Sequence, residues 1–210
     1  MIILIAICGI IIGGIINTTA RRAGNLPKPA GLSRLYAPTI MAIACILCVL
    51  RFGLSWAALL AIAIATILLA ISIIDYHTSE IPNALVIAII PLAIAAIWVW
   101  SEVSLLSRGI GFLSISLPML LAAMAISGAF GGGDIKLMAV CGFLLGWQNT
   151  ILAFFIALLL GGGWAIYLMV SGKRKRGQQM VFGPALCVGV FLSILYGNEI
   201  VNWYISLIIM

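Results

Sequence analysis

Apolar runs of roughly 15 to 20 residues, separated by short polar turns, follow one another along almost the whole chain. A membrane-crossing helix needs about 20 mostly apolar residues, fewer where its flanks help. Of the 210 residues, 65% are hydrophobic and only 8% charged, against about half and about one quarter in a soluble domain. The expected fold is therefore all-α: a polytopic membrane helix bundle, with residues 1–210 forming one integral membrane domain. Eight spans are read, at 2–17, 37–50, 55–75, 83–100, 109–130, 135–147, 150–170 and 182–196. The second and sixth are short for a full crossing. The tail from Glu199 to Met210 is apolar but set off by Tyr196-Gly197-Asn198. It is expected at the interface, with Trp203 and Tyr204 as anchors.

Charge orients this map. The chain is apolar from its first residue, and Arg21 and Arg22 come only after the first run. That order is wrong for a cleaved secretory signal and fits a span that leaves its N-terminus outside. The inner turns then hold Arg21, Arg22, Lys28, Arg34, Lys136 and the run Lys173-Arg174-Lys175-Arg176, while the outer turns hold Arg51 and Arg108. This bias follows the positive-inside rule, and the net charge of +6 reports topology, not nucleic-acid binding. The expected role of the 173–176 run is orientation and contact with anionic lipid.

Five cysteines, Cys8, Cys45, Cys48, Cys141 and Cys187, all fall within apolar runs. Cys45 and Cys48 form a C-x-x-C, but a structural zinc site needs four ligands and no second pair accompanies it. They are expected to pack as small apolar residues. Glycines spaced by four, Gly9/Gly13, Gly128/Gly132 and Gly142/Gly146, together with the Gly161–Gly163 run, are expected to let helices approach closely.

Against this background the acids stand out. Only two aspartates occur, Asp75 and Asp134, and the other acids are Glu80, Glu102 and Glu199. An ionised carboxylate beside hydrocarbon is expensive and marks function by default. Asp75 ends the third span; the fourth goes out, the fifth returns, and Asp134 follows it. Both acids are thus expected at one face, the cytoplasmic one. From the residues alone, they are either an aspartic protease pair or sites of proton coupling.

Asp134 lies in Phe130-Gly131-Gly132-Gly133-Asp134-Ile135-Lys136-Leu137. A glycine-rich break before an acid can place it at a water-lined cleft. The phosphate-loop spacing G-x-x-x-x-G-K-[ST] is absent. The bland alternative is a tight interfacial turn with a solvated acid. Lys136 is placed either to orient Asp134 or to meet a lipid phosphate. Asp75 opens Asp75-Tyr76-His77-Thr78-Ser79-Glu80-Ile81-Pro82-Asn83. Pro82 suits the start of the next helix. His77, the sole histidine, reads more simply as loop polarity than as a base, and Glu80 as a solvated acid.

Together these motifs resemble the type IV prepilin peptidases, the G-x-G-D membrane aspartic proteases. The first aspartate stands before a Pro-Asn end, here Asp75 and Pro82-Asn83. The second stands in G-x-G-D-x-K-L, here Gly131 to Leu137. Phe182-Gly183-Pro184 matches a late F-G-P motif. Gly13-Gly14, Asn17, Arg22 and Leu26-Pro27 match the opening motif, and Asn202 to Leu207 match the ending. The resemblance implies a catalytic pair, Asp75 and Asp134. Gly131, Gly133, Lys136, Pro82, Asn83, Gly183 and Pro184 would support the site or bind substrate.

It also implies a substrate, type IV prepilins or pseudopilins, whose short basic leader precedes an apolar helix and is removed at the cytoplasmic face, commonly after glycine. The enzyme would be a multi-pass protein of the prokaryotic cytoplasmic membrane, its other partner the lipid bilayer, with no nucleic acid, cofactor or metal. Many members carry two C-x-x-C pairs after the first span and a Y-P-x-x-E stretch. Here that segment, residues 17–36, is short, basic and free of cysteine, and Tyr36-Ala37-Pro38-Thr39 stands where the glutamate-bearing stretch would be. N-methyltransferase activity is accordingly not expected. Two rival readings are a small proton-coupled transporter and an inactive pilus-assembly scaffold.

Overall fold

The computed structural model describes residues 2–24, 33–126, 129–171 and 181–209. Among these residues nine helical elements follow in order: α1 (Ile2–Ala23), α2 (Ser33–Phe52), α3 (Trp56–Thr78), α4 (Asn83–Val99), α5 (Leu105–Ser114), α6 (Ser116–Ala125), α7 (Gly132–Leu145), α8 (Trp147–Val170) and α9 (Gly183–Ile209). No strand occurs among the described residues. Lys28, Leu26-Pro27, Gly128 and the basic run 173–176 lie outside them.

Among the described residues, six segments are long and apolar enough to cross a membrane, α5 and α6 counting together as Leu105–Ala125. The α5–α6 break is local. Pro118 has no N–H to give the Ser114 carbonyl, so the ladder is interrupted, while Ile115 keeps a right-handed helical backbone between the two halves. Helix α4 is a shorter apolar helix of 17 residues. Helix α7 has 14 residues, about 21 Å at 1.5 Å per residue, against a hydrocarbon core of about 30 Å.

Several expected boundaries shift. Helix α1 runs past Ile16 to Ala23, and α2 begins at Ser33, so the segment at 17–36 is largely helical among its described residues. Asn17 is buried and accepts a bond from Arg21 Nε at 2.8 Å, one turn on. The second span gains length because Pro38 sits inside α2, where α1 packs closely against it: a Cβ on Gly13 would lie 2.7 Å from Pro38 Cα, and one on Gly9 2.6 Å from Ala42 Cα. The tail is not set off either. Helix α9 continues through Tyr196-Gly197-Asn198 to Ile209. Its bare Gly197 admits Asn149 of α8, whose Nδ2 donates to Asn198 Oδ1 at 2.9 Å.

Two helices organise the packing. Helix α3 touches α1, α2, α4 and α9, and α7 touches α4, α5, α6, α8 and α9. The main core gathers Ile64, Leu68, Ile71, Ile89, Leu137, Met138, Leu144, Leu186 and Val190. A second core, with Ile16, Met41, Cys45 and Ala65, holds α1 and α2 on α3. Cys45, Cys48, Cys141 and Cys187 are buried free thiols, in keeping with apolar packing, whereas Cys8, expected to pack likewise, is exposed on α1. The perimeter is apolar, with Leu59, Leu159 and Ile166 among many exposed residues, as lipid contact requires. Hydroxyls such as Thr66 and Ser72 bond back to their own helix, Thr66 to the Ile62 carbonyl at 2.8 Å and Ser72 to that of Leu68 at 2.9 Å, which spares them the cost of a bare polar group in lipid.

Arg108 departs from its expected place in an outer turn, for it has no exposed surface at all. Its guanidinium donates to the carbonyls of Ala96 and Trp100 at 2.8 Å each, Leu144 at 2.8 Å, and Phe143 and Val103 at 3.3 Å. Four of these carbonyls lie at the C-terminal ends of α4 and α7 and the fifth, Val103, in the turn before α5; helix C-termini carry partial negative charge. One cation thus clamps two helix C-termini. Arg108→Leu leaves these carbonyls without that donor and is expected to cost at least about 3 kcal/mol. The check is thermal unfolding in detergent, with Arg108→Lys falling between the two because an ammonium lacks the planar fork.

Candidate active site

Helix α3 ends just after its aspartate. Ser79, with φ 56°, adopts the left-handed conformation and donates its N–H to the Asp75 carbonyl at 2.8 Å. That cap stops the helix and leaves Asp75 in its last turn, 5% exposed. The carboxylate is held from outside its own helix: Gly183 N–H, at the start of α9, donates to Asp75 Oδ2 at 3.0 Å. The approach needs glycine, because a Cβ at 183 would stand 2.6 Å from that oxygen.

Asp134 is placed by the opposite end of a helix. Gly131 is the N-cap of α7, and Asp134 lies in the first turn. Its carboxylate accepts the Gly131 N–H, a reach-back typical of an acid three residues into a helix. Positive partial charge at a helix N-terminus favours an anion. The two carboxylates lie within electrostatic reach of each other. Asp75 and Asp134 are therefore brought together at one end of the bundle.

They meet without extensive packing of α3 on α7; α9 and α4 each touch both helices. The surrounding motifs supply the ties. Gly133 packs on Ile81, with room for no Cβ: the distance would be 2.7 Å. Lys136 Nζ donates to Asn83 Oδ1 at 3.0 Å. Its ammonium thus holds the start of α4 against α7, a partner that neither reading of the lysine anticipated. Pro82 is the N-cap position of α4. Phe130, just before the glycines, stands 6.2 Å from Phe182 and 6.3 Å from Phe154, and the last two are 6.4 Å apart. This ring cluster joins the G-x-G-D turn to the F-G-P turn and to α8.

Sequence reasoning missed Phe154 and the buried thiol Cys187. Phe154 lies in an unbroken apolar helix with no local mark. Cys187 bonds with Ser72 and lies within electrostatic reach of both carboxylates. His77 and Glu80 are exposed, and the His77 ring stacks edge-on against Tyr76 at 5.3 Å. No group of three or more metal-ligating side chains occurs among the described residues. The arrangement offers two acids, two helix N-termini and a glycine-rich opening.

Comparison with known proteins decides the family. A model of the type IV leader peptidase family matches residues 62–166, a stretch that contains both aspartates. The prepilin leader peptidase/N-methyltransferase of Bacillus subtilis is 32% identical over 183 residues, covering 84% of this chain and 72% of that protein. The chain belongs to the type IV leader peptidase family. Likewise named enzymes from Legionella pneumophila and Pseudomonas putida are 27% and 30% identical, with 88% and 71% of this chain matched to 66% and 54% of theirs. The chain thus spans only part of the length of these curated relatives. No solved structure matches significantly.

For a leader peptidase built this way, Gly183→Ala is an informative variant. The new methyl group would push the Asp75 carboxylate off its amide donor. The expected outcome is a fall in kcat of at least about tenfold, about 1.4 kcal/mol in the barrier, with KM little changed. Initial rates of leader cleavage over a range of precursor concentrations check this.

Proposed function

We propose that this chain is an aspartic endopeptidase that removes the basic leader from type IV prepilins or pseudopilins at the cytoplasmic face of the membrane. The observation that carries the reading is the convergence of Asp75 and Asp134, each bound by a backbone N–H, inside the motifs of the leader peptidase family. The relatives' names supply the substrate class. The charge distribution supports an N-terminus outside and the site inside, within a multi-pass protein of the cytoplasmic membrane.

The chemistry follows from the pair. Two adjacent carboxylates cannot both ionise cheaply, so they share one proton. The ionised member takes a proton from water, and the hydroxide so formed attacks the scissile carbonyl carbon. The protonated member gives its proton to the carbonyl oxygen, forming a neutral gem-diol. Collapse breaks the C–N bond, a proton passes to the leaving amine, and the pair regains its starting state. The two acids titrate as a unit, so base and acid are roles of the pair. Lys136, Asn83, Pro82, Gly131, Gly133, Gly183 and Pro184 act by holding the geometry. A proton-coupled transporter fits less well, because the acids sit in terminal helical turns, not near the midplane.

Asp75→Asn and Asp134→Asn are each expected to abolish cleavage of a candidate prepilin by purified enzyme while leaving the protein in the membrane. Near-normal processing by either variant would remove that residue from the pair. Methyl transfer to the new pilin N-terminus is not expected, because residues 17–36 contain no cysteine. Mass spectrometry of pilin processed by this enzyme with S-adenosylmethionine supplied tests that, and a methylated N-terminus refutes it.

A further inference from the structure

Two cavities lie on the flank of α3. One, of about 450 Å³, is lined by Asn17, Tyr36, Ile40, Tyr76, His77 and Pro184 among others. The other, of about 230 Å³, is lined by Ile43, Ala44, Ala65, Leu68, Val188 and Phe191 among others. They share Ile40, Leu69 and Ser72 and so form one trough. Helix α3 is its floor, and α2 and α9, which barely touch, are its walls. From Tyr76 to Ala65 the floor runs 11 residues, about 16 Å along the helix.

Resting on the peptidase reading, we infer that this trough receives the apolar helix that follows the leader in the substrate. Three observations favour that occupant. First, the trough adjoins the turn that carries Asp75: Tyr76 and His77, the two residues after it, and Pro184, next to the Gly183 that binds its carboxylate, all line the mouth. Second, its polarity changes in the right direction. Asn17, Arg21, Tyr76 and His77 stand at the mouth, beside the end that carries Asp75, with Arg21 bonded to Asn17, and the deeper lining is apolar except for Ser72 and Cys187. A segment with a polar leader joined to an apolar helix meets that gradient in register. Third, the walls carry exposed apolar side chains, Ile43 on α2 and Val188 on α9. A helix entering sideways from the bilayer can bury them without first unfolding the bundle. Helix-in-groove recognition works in this way, by apolar anchors repeating along one face.

The test fills the trough. Ile43→Trp and Val188→Trp change exposed wall positions and spare the carboxylates and their donors. With a precursor that retains its apolar helix, each is expected to raise KM by about fivefold or more and to change kcat by less than about twofold. Leu159→Trp, on the lipid-facing side of α8, is the control and should leave both unaltered. In the Asp75→Asn background, a photo-cross-linking residue at 188 should capture the precursor's helix, and one at 159 should not. Unchanged KM in both trough variants, an equal rise in the control, or cross-links at 188 to lipid alone would overturn the inference while the peptidase reading stands. Absence of cleavage by the unaltered enzyme would remove both together.

Discussion

The hydrogen bond from Gly183 N–H to Asp75 is the contact on which the arrangement of the site depends. Asp75 lies in the last turn of α3, where unpaired carbonyls make the surroundings hostile to an anion. The first turn of α9 brings the opposite polarity, with an N–H pointed at the carboxylate. Asp134 sits in the first turn of its own helix, facing the Gly131 N–H. Two helix N-termini therefore converge on two acids. Negative charge can be held there by fixed backbone dipoles, which need no reorganisation when the charge moves between the two carboxylates.

That convergence requires α7 to be held at both ends. Because α7 is too short to bridge a bilayer by itself, its depth is set by neighbours. At one end Lys136 binds Asn83 and Gly133 presses on Ile81. At the other, Arg108 gathers the terminal carbonyls of α4 and α7. Near that same end, the bare backbones of Gly111 and Gly142 let α5 and α7 come into direct contact. A buried guanidinium is costly unless every donor finds a partner, and the loose carbonyls of two helix ends supply those partners. The short helix that carries Asp134 is thus fixed by polar ties at its ends as well as by the apolar core.

The site also lies where its chemistry needs it. Hydrolysis consumes water, which the apolar perimeter excludes from most of the bundle. Placing both acids in terminal turns keeps them near the polar interface, while Asp75 itself stays almost wholly buried. The rings of Phe130, Phe154 and Phe182 back the two glycine turns and exchange solvent for a rigid apolar wall.

The amino-acid sequence alone determined the helical class, most span positions and the two aspartates with their glycine and proline turns. Those features are local: an apolar run must form its own backbone bonds in lipid, and a lone acid beside such a run is conspicuous. Tertiary structure decided who meets whom. Gly183 is 108 residues from Asp75, Lys136 is 53 from Asn83, and Arg108 is 36 from Leu144; no local pattern pairs them. Arg108 read as an outer charge because four of its five carbonyl partners come together only once α4 and α7 end side by side. Helix α9 read as broken at Gly197 because glycine weakens an isolated helix, whereas here the missing side chain makes room for Asn149. Propensity and hydropathy act over one or a few helical turns. The position of a buried polar group is chosen by whatever distant backbone can satisfy it.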